Sequence, residues 1–306
     1  MSVSTEVADV VEVVDKLVAD EGAPRPGTEQ ESVARLRAQL GELGLWTVDG
    51  DAVVAAAVVQ RLAHTWAALA WASVQAQAAL AVLDGAPRWG DLLDQLHSGA
   101  VGVAVTPTVD RVDAGAVHPW VIVLEPDRAT VLPPEATTFE PLRATGLAGG
   151  CTGRVSTHAA GHPIEGADVS AARTILRLGA AAVASGLSEA ANNAALRYCG
   201  ARRQFGAPLT DLATVRDALY LGARTAGLTE VRSLSPAEVK PGHAAALADA
   251  ACEAAVAATA GAVQLHGGYG YLAEYGMERL LRDAVSLRAA CDAAGCRRYA
   301  AGLLKG

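Results

Sequence analysis

Apolar residues recur at three- and four-residue spacing through 32–45 and 52–83, which predicts helices with one buried face. The stretch WTVDGD separates the two runs with polar and glycine positions. From residue 100 the period changes. AVGVAVTP, AVHPWVIVLEP and RATVLPP are short β-branched runs bounded by Pro, Gly and Asp, which predicts strands. This texture closes near His162, and after Asp168 the helical period returns over roughly 170–200, 209–228, 243–265 and 275–304. Helices of twenty-odd residues are each about 30 Å long, and their Ala- and Gly-rich faces predict a close-packed antiparallel bundle. A polar linker, Thr229–Gly242, lies between the second and third of them. The expected fold is mostly α with a small β domain, divided into a helical domain over 1–99, a β domain over 100–162 and a four-helix bundle over 163–306.

Composition narrows the classes. Thr65–Leu83 carries no charge, but it is alanine-rich and interrupted by two glutamines and a serine, so a buried helix is expected rather than a membrane span. Acidic residues outnumber basic ones, 33 to 25, for a formal charge of −8, and no basic tract invites nucleic acid. The start, MSVSTEVADVVEVVDK, is acidic and amphipathic, unlike a secretory signal. The five cysteines form no CxxC pair and read as reduced thiols, so a cytoplasmic location is expected.

Two stretches carry candidate chemistry. CGARRQFGAPLTDL puts an arginine pair and a Phe-Gly at a helix–helix corner, offering a guanidinium for phosphate and an aromatic face for a flat cofactor. From these residues alone, a solvated arginine pair with Phe205 as a core plug is the preferred reading. QLHGGYGY is a second corner, where glycines permit positive φ and close backbone approach to a ligand. Taken alone, a plain αα-corner is the preferred reading, and the stretch follows a helix without GxGxxG spacing, so it is no dinucleotide fingerprint. Beyond it, Glu278–Arg282 and Arg279–Asp283 read as surface i,i+4 support. His158 and His162 share a metal-pair spacing, but Gly161 and Pro163 exclude a helix there, and no metal site is expected. GLAGGCTG lacks the Lys-Ser/Thr of a P-loop, and Cys151 within it has no neighbouring base.

Taken together, RRQFGAPL followed by QLHGGYGYLAEYGMERLLRDA resembles the C-terminal helical domain of the acyl-CoA dehydrogenase family. LRAQLGELGLWTVDG resembles the family's N-terminal helical domain more loosely. The resemblance implies FAD-dependent oxidation of the Cα–Cβ bond of an acyl-CoA thioester, with a carboxylate taking the α proton. It implies a flavin shared across a subunit interface. Arg202, Gln204 and Phe205 would then meet the pyrophosphate and ribose of a neighbour's FAD, and Gln264, Gly267 and Gly268 its adenosine side.

The departures matter as much. Thr106-Pro107 is kept, but no Gly-Ser-Asp loop follows to grip a flavin ring, and the β region is short. Ala213 stands where the family often has a glutamine. The family's base after Arg-Asp-Ala falls on Cys291, with Asp292 beside it and rotated away if the helix continues; its alternative location falls near Leu176. No residue of this chain is assigned as the base. Short chains of this kind resemble the smaller subunits of actinobacterial heterotetrameric acyl-CoA dehydrogenases, many of them steroid-degrading. The implied role is a subunit of an α2β2 enzyme that completes the FAD site of a larger catalytic partner. Two alternatives stand beside it: a self-sufficient homo-oligomeric dehydrogenase using Asp292, and a flavin-free scaffold.

Overall fold

A computed structural model of the chain describes residues 3–48, 50–228 and 237–305. The first part is helical: α1 (Val3–Glu21), α2 (Glu29–Glu42), α3 (Ala52–Ala63), α4 (Ala67–Leu83) and α5 (Gly90–His97). Asp51 starts α3, its carboxylate accepting the Val53 and Val54 N–H groups at 2.9 Å each. The helical run expected over 52–83 is divided in two at His64–Trp66, where neither Gly nor Pro gives warning. Long-range bonds hold the break: the Trp66 indole N–H donates to the Gly22 carbonyl at 2.8 Å, and Arg279 donates to the Thr65 carbonyl at 2.8 Å.

The uncharged helix α4 is a core element. All its residues except Gln77, Leu80 and Ala81 are buried. Its polar positions have partners: Gln75 donates to the Asp113 carbonyl at 2.5 Å and accepts the Val105 N–H at 3.2 Å, tying the helix to the β region.

That region contains β1 (Val103–Thr106), β2 (Val112–Asp113), β3 (Trp120–Leu124), β4 (Ala129–Leu132), β5 (Thr137–Pro141), β6 (Thr152–Thr157) and β7 (His162–Ile164). One sheet has the order β1-β3-β4-β7, with β1 parallel to β3 and the other pairs antiparallel; a second has the order β2-β6-β5. Buried Ala104, Val121 and Leu132 of the first sheet pack against Val112 and Val155 of the second.

The remainder is a bundle of α6 (Val169–Ala201), α7 (Ala213–Leu228), α8 (Pro241–His266), α9 (Met277–Ala290) and α10 (Ala293–Gly302), with a hairpin of β8 (Arg203–Gln204) and β9 (Ala207–Pro208) between α6 and α7. Of the linker Thr229–Gly242, residues 229–236 lie outside the described residues. Two glycines let α6 cross its neighbours closely: a Cβ at Gly179 would run into Val74, and one at Gly186 into the Gln60 carbonyl. By length and apolarity the stretch beginning with α8 could cross a bilayer, yet α8 packs against α6, α9 and α10.

Two expectations are corrected here. The last helix is not continuous over 275–304: it breaks at Cys291–Asp292, where Asp292 has φ +47° and caps α10 through the Gly295 N–H at 3.0 Å. Arg279–Asp283 is not surface support either. Asp283 is buried, accepts the Leu147 N–H at 2.7 Å and faces Arg279 at 3.3 Å, so the pair locks α9 to the loop before β6. Burial lifts the Asp283 carboxyl above the usual carboxylate range, with Arg279 acting against the rise. Glu278–Arg282 is the exposed i,i+4 pair expected.

Candidate functional site

The first corner forms where α6 ends. Arg202 closes the helix, and the chain turns through β8 and β9 with Phe205 (φ +54°) and Gly206 (φ +85°) at the tip. Two successive positive φ values are what a two-residue hairpin turn needs, but a bulky aromatic at the first of them is unusual. Phe205 is 91% exposed, so the core-plug reading fails. A large apolar ring is held in a strained conformation, and none of the described residues covers it. Gln204 beside it is exposed as well. Ala213 opens α7 on the surface.

The second corner forms where α8 ends. Gly267 has φ +59° and ψ −137°, a conformation open essentially only to glycine. The glycines of this corner divide by purpose. A Cβ at Gly270 would run into the Val263 carbonyl, whereas at Gly267 or Gly268 it would meet nothing within 4 Å. Gly270 serves packing. Gly267 and Gly268 leave open space, with Gln264 exposed on the preceding turn.

An aromatic cluster joins the two corners. Tyr198 of α6 stacks on His266 of α8 with ring centroids 4.3 Å apart, and Tyr275 meets both edge-on at 6.0 Å. Tyr269 lies 5.4 Å from Tyr275, and the Arg202 guanidinium lies 5.7 Å from the Tyr269 ring. His266 Nδ1 is 2.7 Å from the Ala262 carbonyl, which makes that nitrogen the donor. Arg202 and the glycine corner therefore share one exposed edge. Sequence reasoning quoted Tyr269 and Tyr275 but gave neither a role, and it passed over Tyr198; the available signal was three of the chain's six tyrosines falling at two helix ends. Among the described residues no carboxylate pairs with Arg202, which suits the guanidinium to a pyrophosphate.

The other end of α6 borders a cavity of about 550 Å³. Its lining includes Trp71 of α4, Val105 of β1, Pro107, Leu124 of β3, and residues of α6 and of the α9–α10 junction. Leu176 and Cys291 both line it, so the two positions at which the resemblance seeks a base face one space. Neither is a carboxylate. Cys291 lies 3.6 Å from the Cys252 sulfur; that contact and burial push its thiol well above the usual range. Burial pushes the nearby Cys296 thiol up to about 11. Asp292 does reach the lining, because the helix breaks before it and the expected rotation does not apply. Its carboxylate is engaged in capping α10 and lies 3.9 Å from Arg298. The Thr106 hydroxyl is engaged too, donating to the Thr108 carbonyl at 2.7 Å.

Corner and cavity are far apart. From Leu176 to Arg202 along the straight run of α6 is about 40 Å at 1.5 Å per residue. His158 lies 2.9 Å from the Glu135 carbonyl, and His162 lies 3.2 Å from Arg88. Among the described residues no cluster of His, Cys, Asp or Glu could hold a metal.

Comparison with known proteins follows the same division. Residues 169–290 match the family model "Acyl-CoA dehydrogenase, C-terminal domain". An acyl-CoA dehydrogenase of Bacillus subtilis is 39% identical over 118 residues, a match covering 35% of this chain and only 30% of that protein. Similarity of fold extends over the whole chain. The Tcur3481-Tcur3483 steroid ACAD superposes with a TM-score of 0.77 at 18% identity, covering 99% of each chain. The acyl-CoA dehydrogenase of Bacillus anthracis complexed with FAD gives 0.74 at 17% identity, covering 93% of this chain and 63% of that one. The chain has an acyl-CoA dehydrogenase-like fold, and residues 169–290 of its bundle are similar to that family's C-terminal domain.

Proposed function

We propose that this protein is the smaller subunit of a heteromeric, FAD-dependent acyl-CoA dehydrogenase, cytoplasmic and assembled as α2β2 with a larger catalytic chain. The carrying observation is the separation along α6: an open corner suited to a dinucleotide at one end, and about 40 Å away a cavity with no free carboxylate. A corner so distant from its own cavity serves a site centred elsewhere. Arg202 would pair with the pyrophosphate, Phe205 and Gln204 would cover the ribose side, and Gln264, Gly267 and Gly268 would admit the adenosine. When bound, FAD supplies a hydride acceptor for α,β-dehydrogenation of an acyl-CoA. This chain's residues hold and orient it, and the partner supplies the ring pocket and the general base. A steroid-derived acyl group is the proposed substrate class, supported by likeness of fold to a steroid ACAD.

One observation favours the self-sufficient alternative, namely that Asp292 lines the cavity. Its engagement as the α10 cap weighs against a base's role, since a base must be free to reach the substrate proton. Co-expression with the products of neighbouring genes tests the reading. A larger chain should co-purify with flavin and acyl-CoA dehydrogenase activity; a chain that turns over acyl-CoA without a partner would refute it.

A further inference from the structure

The cavity that lacks a base is not empty of charge. Arg173 and Arg177 both line it, one helical turn apart on the same face of α6, and both are partly buried. Several other arginines have carboxylate partners: Arg35 with Glu21, Arg61 with Asp15, Arg279 with Asp283, Arg297 with Asp249. Among the described residues, neither cavity arginine has one. Arg173 donates only to backbone carbonyls, those of Glu125 at 2.8 Å, Leu124 at 3.3 Å and Pro126 at 3.5 Å. Arg177 donates to the Pro241 carbonyl at 3.2 Å and lies over the Tyr299 ring at 4.3 Å. A guanidinium has five N–H donors, so both retain donors for a further acceptor.

Two uncompensated cations in a partly apolar cavity are costly to hold there. The strain shows in Arg173, whose hold on its proton is weakened by burial first and by Arg177 next. α8 adds to the positive field: it begins at the cavity with Pro241, has Lys240 at its cap position and no side-chain cap. The only carboxylate in the lining, Asp292, is committed to α10. Much of the remaining wall is apolar, with Trp71, Val105, Leu124 and Leu176, while Ser170 and Tyr299 add hydroxyl groups. A volume of about 550 Å³ holds a medium-sized organic molecule.

We infer that this cavity is a binding site for an organic carboxylate with an apolar body, held by Arg173 and Arg177 and not chemically transformed. A free acid meets both cations, whereas a neutral thioester leaves them uncompensated. The inference goes beyond the shared flavin site and does not depend on it.

Calorimetric titration of the full-length chain with decanoate and with decanol tests it. Decanoate should bind at least tenfold more tightly than the alcohol. Arg173→Gln and Arg177→Gln should each weaken decanoate roughly 10- to 100-fold and leave decanol unchanged, as loss of a charge-assisted bond implies. Leu176→Trp, which fills the cavity and leaves both cations in place, should remove decanoate binding and provides a second route should an arginine variant fail to fold. Equal affinity for acid and alcohol overturns the inference. So does decanoate binding that survives Leu176→Trp, which would put the ligand on exposed apolar surface, or no binding by the wild-type chain up to about 1 mM.

Discussion

The two ends of α6 were treated differently by this sequence. At its C-terminal end, Arg202, Phe205 and the glycines of the neighbouring corner stand open, with an exposed ring and backbone that none of the described residues covers. At its N-terminal end the enclosing walls remain, but Leu176 and Cys291 occupy the positions where a base would face the cavity. On the proposed function, the contrast teaches that a fold can hold a cofactor-presenting corner at one end of a helix and a cavity without a free carboxylate at the other. The two capacities sit on opposite ends of one helix and can change independently.

The largest effect should come from removing the frame on which both ends depend. Asp283 holds Arg279 and the Leu147 N–H, and Arg279 in turn holds the Thr65 carbonyl at the break before α4. Asp283→Ala leaves the half-buried Arg279 cation and the buried Leu147 N–H without their acceptor and should lower stability by about 3–5 kcal/mol, read by chemical denaturation. A loss under 1 kcal/mol would return the pair to the role of surface support.

The next changes act on the corner alone. Arg202→Ala should lower the FAD affinity of the assembled complex roughly 10- to 100-fold with unchanged helicity, because the residue is exposed and has no carboxylate partner here. Unchanged flavin retention would reduce the pair to a solvated surface feature. The glycines then separate two causes. Gly267→Ala forces alanine into a glycine-only conformation and should cost about 1–3 kcal/mol of stability as well as flavin. Gly268 lies outside the left-handed region and faces open space, so Gly268→Ala should leave the melting temperature unchanged and lower flavin retention only. If Gly268→Ala retains flavin fully, no ligand approaches that backbone.

The smallest effect belongs to the cavity end. Asp292→Asn in the assembled complex should keep turnover within about twofold, since asparagine also caps helices and the proposed function places the base in the partner. A hundredfold loss of kcat with flavin content intact would make Asp292 the base.

Much of this contrast was legible in the sequence, for physical reasons. The change of hydrophobic period at residue 100 and its return after 168 gave the order of helical and β regions, because period reports which face is buried. The register set by Arg282-Asp283-Ala284 puts Cys291 where the resemblance seeks a base, and Cys291 does line the cavity. What stayed hidden depends on partners distant in the chain. The break at His64–Trp66 is set by Gly22 and Arg279. Asp283 looks like an ordinary i,i+4 partner until Leu147 is seen to need its oxygen. Tyr198 and His266 stack only because α6 and α8 pack side by side. Phe205 misleads for the opposite reason: a large apolar ring is assigned to a core by default, and here it is exposed.

The central claim is that the corner serves a flavin centred in another chain, and the ratio of flavin to protein tests it most directly. The chain purified alone should carry far less than one flavin per molecule by visible absorbance. Co-purified with a larger partner, it should carry one per pair, reduced by Arg202→Ala and untouched by Leu176→Trp. Stoichiometric flavin on the lone chain, or a complex whose flavin ignores Arg202, would contradict the account.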